Sequence, residues 1–425
     1  MAGFKLTQDE KRWVLYDAAN SAFILIVVTT LGALYFKEHM GQEISRAMAT
    51  ASWGYSNSLA ALLAALSGPL IGQWLDHRNT QQRGLLLFTV LGALVTALLA
   101  WLPLGSWLLF LGTYLLARLF FALANICYDA LLLKVTTLQR MDRVSAAGYG
   151  WGYIGSVIPF LAIPLAGMLW PAESGLDPRV GQAAFLIVAA WWLLLSVPLL
   201  SRAVGGAPRI PAERKENLLG ATWREIRAHP QALRFLLAYF LYIDGVFTIM
   251  VMAVAFGKDA GLTSGDLIQV ILAIQIVSFP AALLAGRLAE RIGRQRVILI
   301  GLAIYMGVTV GAWWLYEVSW NRELFWILGM GIALAQGGLQ AMSRSQFAQL
   351  IPAGQSATWF GLFNASNRFA VILGPLMLGL VTQLTGSSQD GVLTLIPLFV
   401  VGGWLLIKSG ETAPGISAPA ANNGA

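Results

Sequence analysis

Three ionisable residues stand inside long apolar stretches of this chain: Arg118, Asp244 and Arg368. A charge at the centre of a bilayer costs about 2.5–3.5 kcal/mol on insertion scales, so each needs a partner or a water-filled cavity. Counted at about 1.5 Å per helical residue, Arg118, Asp244, Gln336 and Arg368 fall near one depth, and we expect them as a central layer. Gln275 and Asn367 lie close to it, and Tyr242, with Tyr16, Tyr239 and Trp151, supplies a candidate aromatic wall. Two cations against one acid leave an unmet positive charge. An α-amino acid answers that pattern: its carboxylate meets Arg118 or Arg368 in a bidentate pair, and its ammonium meets Asp244. The competing reading is that these side chains pair with one another and only hold helices together.

A second polar set lies nearer one membrane face: Asp17, Asn20, Asn125, Asp129, Gln340, Arg344 and Asn364. Asn125 and Asp129 follow Arg118 by seven and eleven residues, so the three share a helix face. Gln336, Gln340 and Arg344 recur at four-residue steps and make a stripe running out from the middle. Asp17, little more than a turn past Trp13, reads as shallow. We expect a structural or gating role for this layer.

The elements that position these residues follow from composition. Hydrophobic residues make up 57% of the 425 and charged residues 12%, about half the charge of a soluble domain. That excludes a soluble enzyme and a disordered chain, and the single cysteine, Cys127, excludes an intrachain disulfide. Twelve stretches suffice for membrane helices of about 20 residues: 13–36, 51–75, 85–103, 107–133, 146–170, 181–200, 232–256, 267–288, 297–316, 324–350, 358–384 and 391–407. The first is too long for a signal-peptide core and lacks a small-residue cleavage site after it, so we expect it to be retained.

Lys and Arg then set the topology. With the N-terminus inside, one side receives Lys5, Lys11, Arg12, Arg78, Arg83, Lys134, Arg140, Arg143, the cluster from Arg202 to Arg234, Arg287, Arg291, Arg294, Arg296, Arg344 and Lys408. The other receives only Lys37, Arg46, Arg179, Lys258 and Arg322. The asymmetry places both termini in the cytoplasm. Residues 1–200 and 232–408 read as two six-helix bundles, 201–231 as a cytoplasmic linker and 409–425 as a disordered tail.

The halves repeat. Gly72-Gln-Trp-Leu-Asp76-His-Arg78 follows the second span, and Gly286-Arg-Leu-Ala-Glu290-Arg291-Ile-Gly293-Arg294 follows the eighth. Leu-Tyr-Asp17 in span one is echoed by Leu-Tyr-Ile-Asp244 in span seven, and Ser145-Ala-Ala-Gly148 in span five by Thr358-Trp-Phe-Gly361 in span eleven. An offset of six spans implies parallel repeats about an axis along the membrane normal.

The Gly-xxx-acid-basic loops resemble the signature between helices two and three of the major facilitator superfamily, although the first copy has Asn79 near the place of the loop glycine and His77 in place of a basic residue. The segments Trp13–Phe23, Ala238–Thr248 and Gly337–Ser345 resemble one branch of it, the "unknown major facilitator" family that includes autophagy-related vacuolar amino-acid effluxers. The resemblance implies an all-α integral membrane protein of twelve helices in two pseudo-symmetric bundles. It also implies alternating-access transport of a small polar metabolite, with efflux of neutral amino acids as the best guess. It further implies that the loops latch the halves together on the cytoplasmic side, with Asp76 and Glu290 beside Arg78 and Arg291. Glycines 148, 152 and 155, with Pro159, Pro164 and Gly374-Pro375, read as packing and hinge positions.

Nothing in the sequence points to catalysis, a metal, a cofactor or nucleic acid. The three histidines, His39, His77 and His229, are dispersed in loops, and no phosphate-binding Gly-x-x-x-x-Gly-Lys motif occurs. The expected partners are a small-molecule substrate and the bilayer, with the chain acting as a monomer. Proton coupling through Asp244 stays open. Two rivals remain: a lipid flippase of the same fold, and a non-transporting receptor or scaffold.

Overall fold

The computed structural model describes residues 4–44, 46–170, 177–202, 227–259, 262, 264–315, 317–352, 354–369, 373–385 and 388–410. Most of the expected linker (203–226) and tail (411–425), and the side chains of Arg46, Pro164, Lys258, Arg368 and Pro375, lie outside the described residues. All the described secondary structure is helical. The first half contains α1 (Gln8–Met40), α2 (Arg46–Arg78), α3 (Gln81–Leu98), α4 (Trp107–Val135), α5 (Met141–Leu169) and α6 (Pro178–Leu200). The second contains α7 (Pro230–Asp259), α8 (Ser264–Ile292), α9 (Arg294–Trp314), α10 (Asn321–Ala348), α11 (Ser356–Phe369), α12 (Leu373–Thr385), α13 (Ser388–Leu393) and α14 (Ile396–Ser409).

Eleven described helical stretches are long and apolar enough to cross a membrane. The remaining expected span, 358–384, is present as α11 and α12 on either side of residues 370–372. The outer faces of α2, α4 and α6 carry exposed Leu66, Leu108 and Leu194, which a chain in water could not leave bare and which hydrocarbon accommodates.

Local chemistry sets the ends. Thr7 and Glu10 close a reciprocal capping box on α1. Asp177 caps α6 with Pro178 in its first turn, where a missing N–H costs nothing. Inside α1 the helix widens to π turns over Phe23–Thr30 and Phe36–Met40. The hydroxyls of Thr29 and Thr30 donate five residues back, to Ile24 and Leu25 carbonyls, at 2.8 and 2.7 Å.

Within the first half α1 packs on α5 and α6, and α4 on α2 and α3; within the second, α10 packs on α8 and α9, and α7 on α14. The halves meet along α2–α11, α5–α8, α5–α10 and α4–α11. These seams are tight at the end that carries the α2–α3, α4–α5, α8–α9 and α10–α11 loops, here called the basic-loop end. A Cβ on Gly72 would lie 2.3 Å from the Ala357 carbonyl oxygen, one on Gly361 2.7 Å from that of Gly68, and one on Gly286 2.7 Å from Ala146 Cβ. Backbones approach there as only glycine permits.

Candidate functional site

Among the described residues, a buried polar cluster joins the halves. Arg344 leaves α10 and enters the first half, where it is 3% exposed. Its Nη1 lies 3.4 Å from Asp129 Oδ1 of α4 and its Nη2 3.4 Å from Asp17 Oδ2 of α1. Its Nε donates to Ser145 Oγ and its Nη2 to the Ser145 carbonyl, both at 3.0 Å. Three rings enclose the guanidinium: Tyr149 at 4.3 Å, Trp13 at 4.7 Å and Tyr128 at 5.6 Å. The Tyr128 hydroxyl donates to Asp17 at 2.9 Å, and the Asn364 amide of α11 donates to Asp129 at 3.0 Å. Gly148 makes the space, since a Cβ there would fall within 3 Å of Asp17, Trp13 and Arg344. A buried ion pair is weak evidence for net stability, yet removing one partner typically costs 3–5 kcal/mol because the other is stranded.

The structure therefore brings together Asp17, Asp129, Arg344 and Asn364, and beside them Asn20 donates to Asn125 at 3.0 Å. Asp17 is less superficial than its spacing from Trp13 implies, because α1 already begins at Gln8 and neighbouring helices cover it. Gln340 is half-buried on α10.

Nearer the loops stand two related contacts. Asp76, at the end of α2, accepts the N–H groups of Ala357 and Thr358 at 2.9 and 2.7 Å, the Thr358 hydroxyl at 2.8 Å and the Gln81 amide at 2.7 Å. It thus caps the first turn of α11, where a carboxylate meets free N–H groups and the positive end of the helix dipole. In the repeat, Glu290 at the end of α8 pairs with Arg143 of α5. Arg294 lies 3.5 Å from Asp142, which also accepts from Ser345.

Arg78 lies over the Trp74 ring at 4.8 Å and Glu290 pairs with Arg143, while no ion pair of Arg78 or Arg291 occurs among the described residues. The acids face the opposite half because the helix ends converge there, whereas loop arginines at the surface keep their hydration. Asn79 stands in for the loop glycine. Its φ is 50° and that of Gly293, at the corresponding place in the repeat, is 89°; Asn is among the few residues that tolerate this region.

The central layer is looser. Arg118 is buried on α4, its Nε has no hydrogen-bond partner, and it makes no ion pair among the described residues. Asp244 is fully buried on α7: Oδ2 accepts the Gly374 N–H of α12 at 2.6 Å, while Oδ1 has no partner. Gln275 donates across the seam to Ser156 at 3.3 Å. Gln336 donates to Ser278 at 2.8 Å within its own half, leaving its carbonyl oxygen unpartnered, and Asn367 Oδ1 is likewise buried and unpartnered. The Arg368 side chain lies outside the described residues.

The expected aromatic wall is not assembled. Tyr242 is fully buried inside the second half, its hydroxyl 2.7 Å from Ser343. Tyr239 stacks on Phe363 at 4.2 Å, and Tyr16 meets Thr89 at 2.9 Å inside the first half. Tyr16 and Tyr242 pack within their halves, where each buried hydroxyl finds a partner between tightly packed helices. Trp151 alone is substantially exposed, edge-on to Phe279 across the α5–α8 seam.

Sequence reasoning did not single out Tyr128, Tyr149 or Ser145 as partners of Arg344, nor Asp142 or Glu10. Glu10 is 1% exposed and binds Arg140 through both oxygens at 2.7 Å. The available signal was the acid pattern itself: Glu10 and Asp142 are acids flanking otherwise basic, membrane-adjacent segments. Among the described residues no group of His, Cys, Asp or Glu is arranged to hold a metal ion.

Comparison with known proteins adds the family. A model described as "Vacuole effluxer Atg22 like" matches residues 8–409. The chain is 38% identical over 407 residues to the "Uncharacterized MFS-type transporter YxiO" of Bacillus subtilis, covering 94% of each. It is 26% identical to "Autophagy-related protein 22" of Cryptococcus neoformans over 63% of this chain and 50% of that longer protein. In fold it resembles the proton:xylose symporter XylE, with a TM-score of 0.75 at 13% identity over 94% of this chain and 95% of that one. With its helical halves, this multi-pass membrane protein is not an enzyme but a transporter of the major facilitator type, and it belongs to the vacuole effluxer Atg22-like family.

Proposed function

We propose that the protein carries a small zwitterion, a neutral amino acid, across the cytoplasmic membrane by rocking residues 1–200 against 232–408, with 201–231 as the linker. Export is the favoured direction, in keeping with the effluxer description of the matched family. Both termini are cytoplasmic, which follows from the loop charges, and the chain works as a monomer. The basic-loop end is then the cytoplasmic end, closed by the contacts of Arg344, Asp76 and Glu290.

One observation carries the substrate reading. A carboxylate oxygen of Asp244 and the Nε of Arg118 are buried within membrane spans and unpartnered. Unmet buried polar groups are costly, and a ligand bearing both an ammonium and a carboxylate would satisfy one of each. Gln275, Gln336, Asn367 and Arg368 supply further contacts in this reading.

The experiment is a thermal-shift series of the purified protein with neutral amino acids, sugars and short peptides, followed by flux of the stabilising compound into proteoliposomes. An amino acid that both raises the midpoint and is transported supports the proposal. Stabilisation and transport confined to sugars or peptides overturns it.

A further inference from the structure

The first half contains a complete cation receptor, and the second half fills it. Asp17 and Asp129 contribute two carboxylates, and Trp13, Tyr128 and Tyr149 contribute ring faces within 4.3–5.6 Å of the guanidinium carbon. Ser145 adds two acceptors at 3.0 Å. Carboxylates with aromatic faces are the chemistry by which organic cations are recognised. Every acid and ring of the cage belongs to α1, α4 or α5; the cation alone comes from α10. Two carboxyl groups face one guanidinium, so the cage holds more acids than cations. Gly148 keeps its floor empty of side chain.

We propose that this cage is a binding subsite for the cationic head of an organic substrate, an alkylammonium or alkylguanidinium, and that Arg344 occupies it as an intramolecular substitute while the basic-loop end is closed. The inference rests on the reading that the halves part at that end during transport. Parting withdraws Arg344 with α10 and leaves Asp17, Asp129 and the three rings on the wall of the opening. A substrate arriving there meets the cage first, and the return of Arg344 displaces it. Closure and release are thereby coupled through competition for one receptor.

The test needs no flux and so separates this inference from the transport reading. Arg344→Ala is purified in detergent, and its unfolding midpoint is followed against methylguanidinium chloride, methylammonium chloride and sodium chloride at constant ionic strength. The proposal predicts a saturable rise in midpoint with both organic cations and none with sodium. The apparent affinity falls at least fivefold when Asp17→Asn or Asp129→Asn is added. The parent protein, its cage filled, shows no such rise. If Arg344→Ala does not yield folded protein, Arg344→Gln, which keeps a shorter polar side chain without the charge, replaces it. Absence of a saturable response in the folded variant overturns the proposal. So does an equal response to sodium, or an equal response in the parent protein.

Discussion

The Asp76 carboxylate of α2 accepts the backbone N–H of Thr358 at 2.7 Å and the Thr358 hydroxyl at 2.8 Å, so an acid of one half caps the first turn of a helix in the other. A closed basic-loop end therefore satisfies N–H groups of α11 that an open one leaves to water. Hydrogen bonds to a charged group contribute about 1.5–3 kcal/mol, enough to shift a two-state equilibrium by about tenfold or more. Asp76→Asn weakens the cap and should move the population toward states open at that end. The check is the distance distribution between spin labels at Thr137→Cys and Arg291→Cys in a Cys127→Ala background: it should broaden to longer separations, with the parent sequence remaining short.

Glycine contacts along the same seam give a steric test. A Cβ on Gly72 would sit 2.3 Å from the Ala357 carbonyl oxygen, a contact that backbone cannot relieve by rotating a side chain. Gly72→Ala should prevent full closure, lengthen the same spin-label distance and reduce transport by tenfold or more. Gly112→Ala, where nothing lies within 4 Å of the added methyl, should leave both unchanged.

The loop residue Asn79 offers a backbone test. With φ at 50° it holds a conformation that costs a β-branched residue about 1–2 kcal/mol. Asn79→Gly should unfold within a degree or two of the parent protein. Asn79→Val should unfold several degrees lower, read as the thermal midpoint in detergent.

Beneath the first-half loops, the Glu10 carboxylate binds Arg140 through both oxygens at 2.7 Å and accepts Thr136 at 2.7 Å. Phe4 lies 4.5 and 4.7 Å from the guanidinium carbons of Arg140 and Arg143. Glu10→Gln strands Arg140 beside a neutral amide and should lower the thermal midpoint by an amount equivalent to about 1–3 kcal/mol. Asp9→Asn, which removes a more exposed pairing with Arg12, should cost less than about 1 kcal/mol.

Much of this was legible in the residues alone, for physical reasons. Span length is local, so the helices emerge from runs of apolar residues, and the Gly72/Gly286 and Asp76/Glu290 repeat marks corresponding helix ends. The four-residue stripe ending at Arg344 announced a polar face on α10. What the stripe could not announce was that it divides: Gln336 turns to Ser278 of its own half, whereas Arg344 crosses to Asp17 and Asp129. Pairing is a property of how helices pack, and Arg143 with Glu290 are 147 residues apart. The tyrosines misled for a similar reason, because the azimuth of Tyr16 and Tyr242 carries their hydroxyls to partners inside their own halves.

The most direct measurement is counterflow of a radiolabelled neutral amino acid in proteoliposomes containing the parent protein, Arg118→Ala or Asp244→Asn. We expect saturable accumulation with the parent and at least a tenfold loss in each variant, with thermal midpoints showing both still folded. Accumulation at the parent rate in both variants would contradict a substrate held between Arg118 and Asp244.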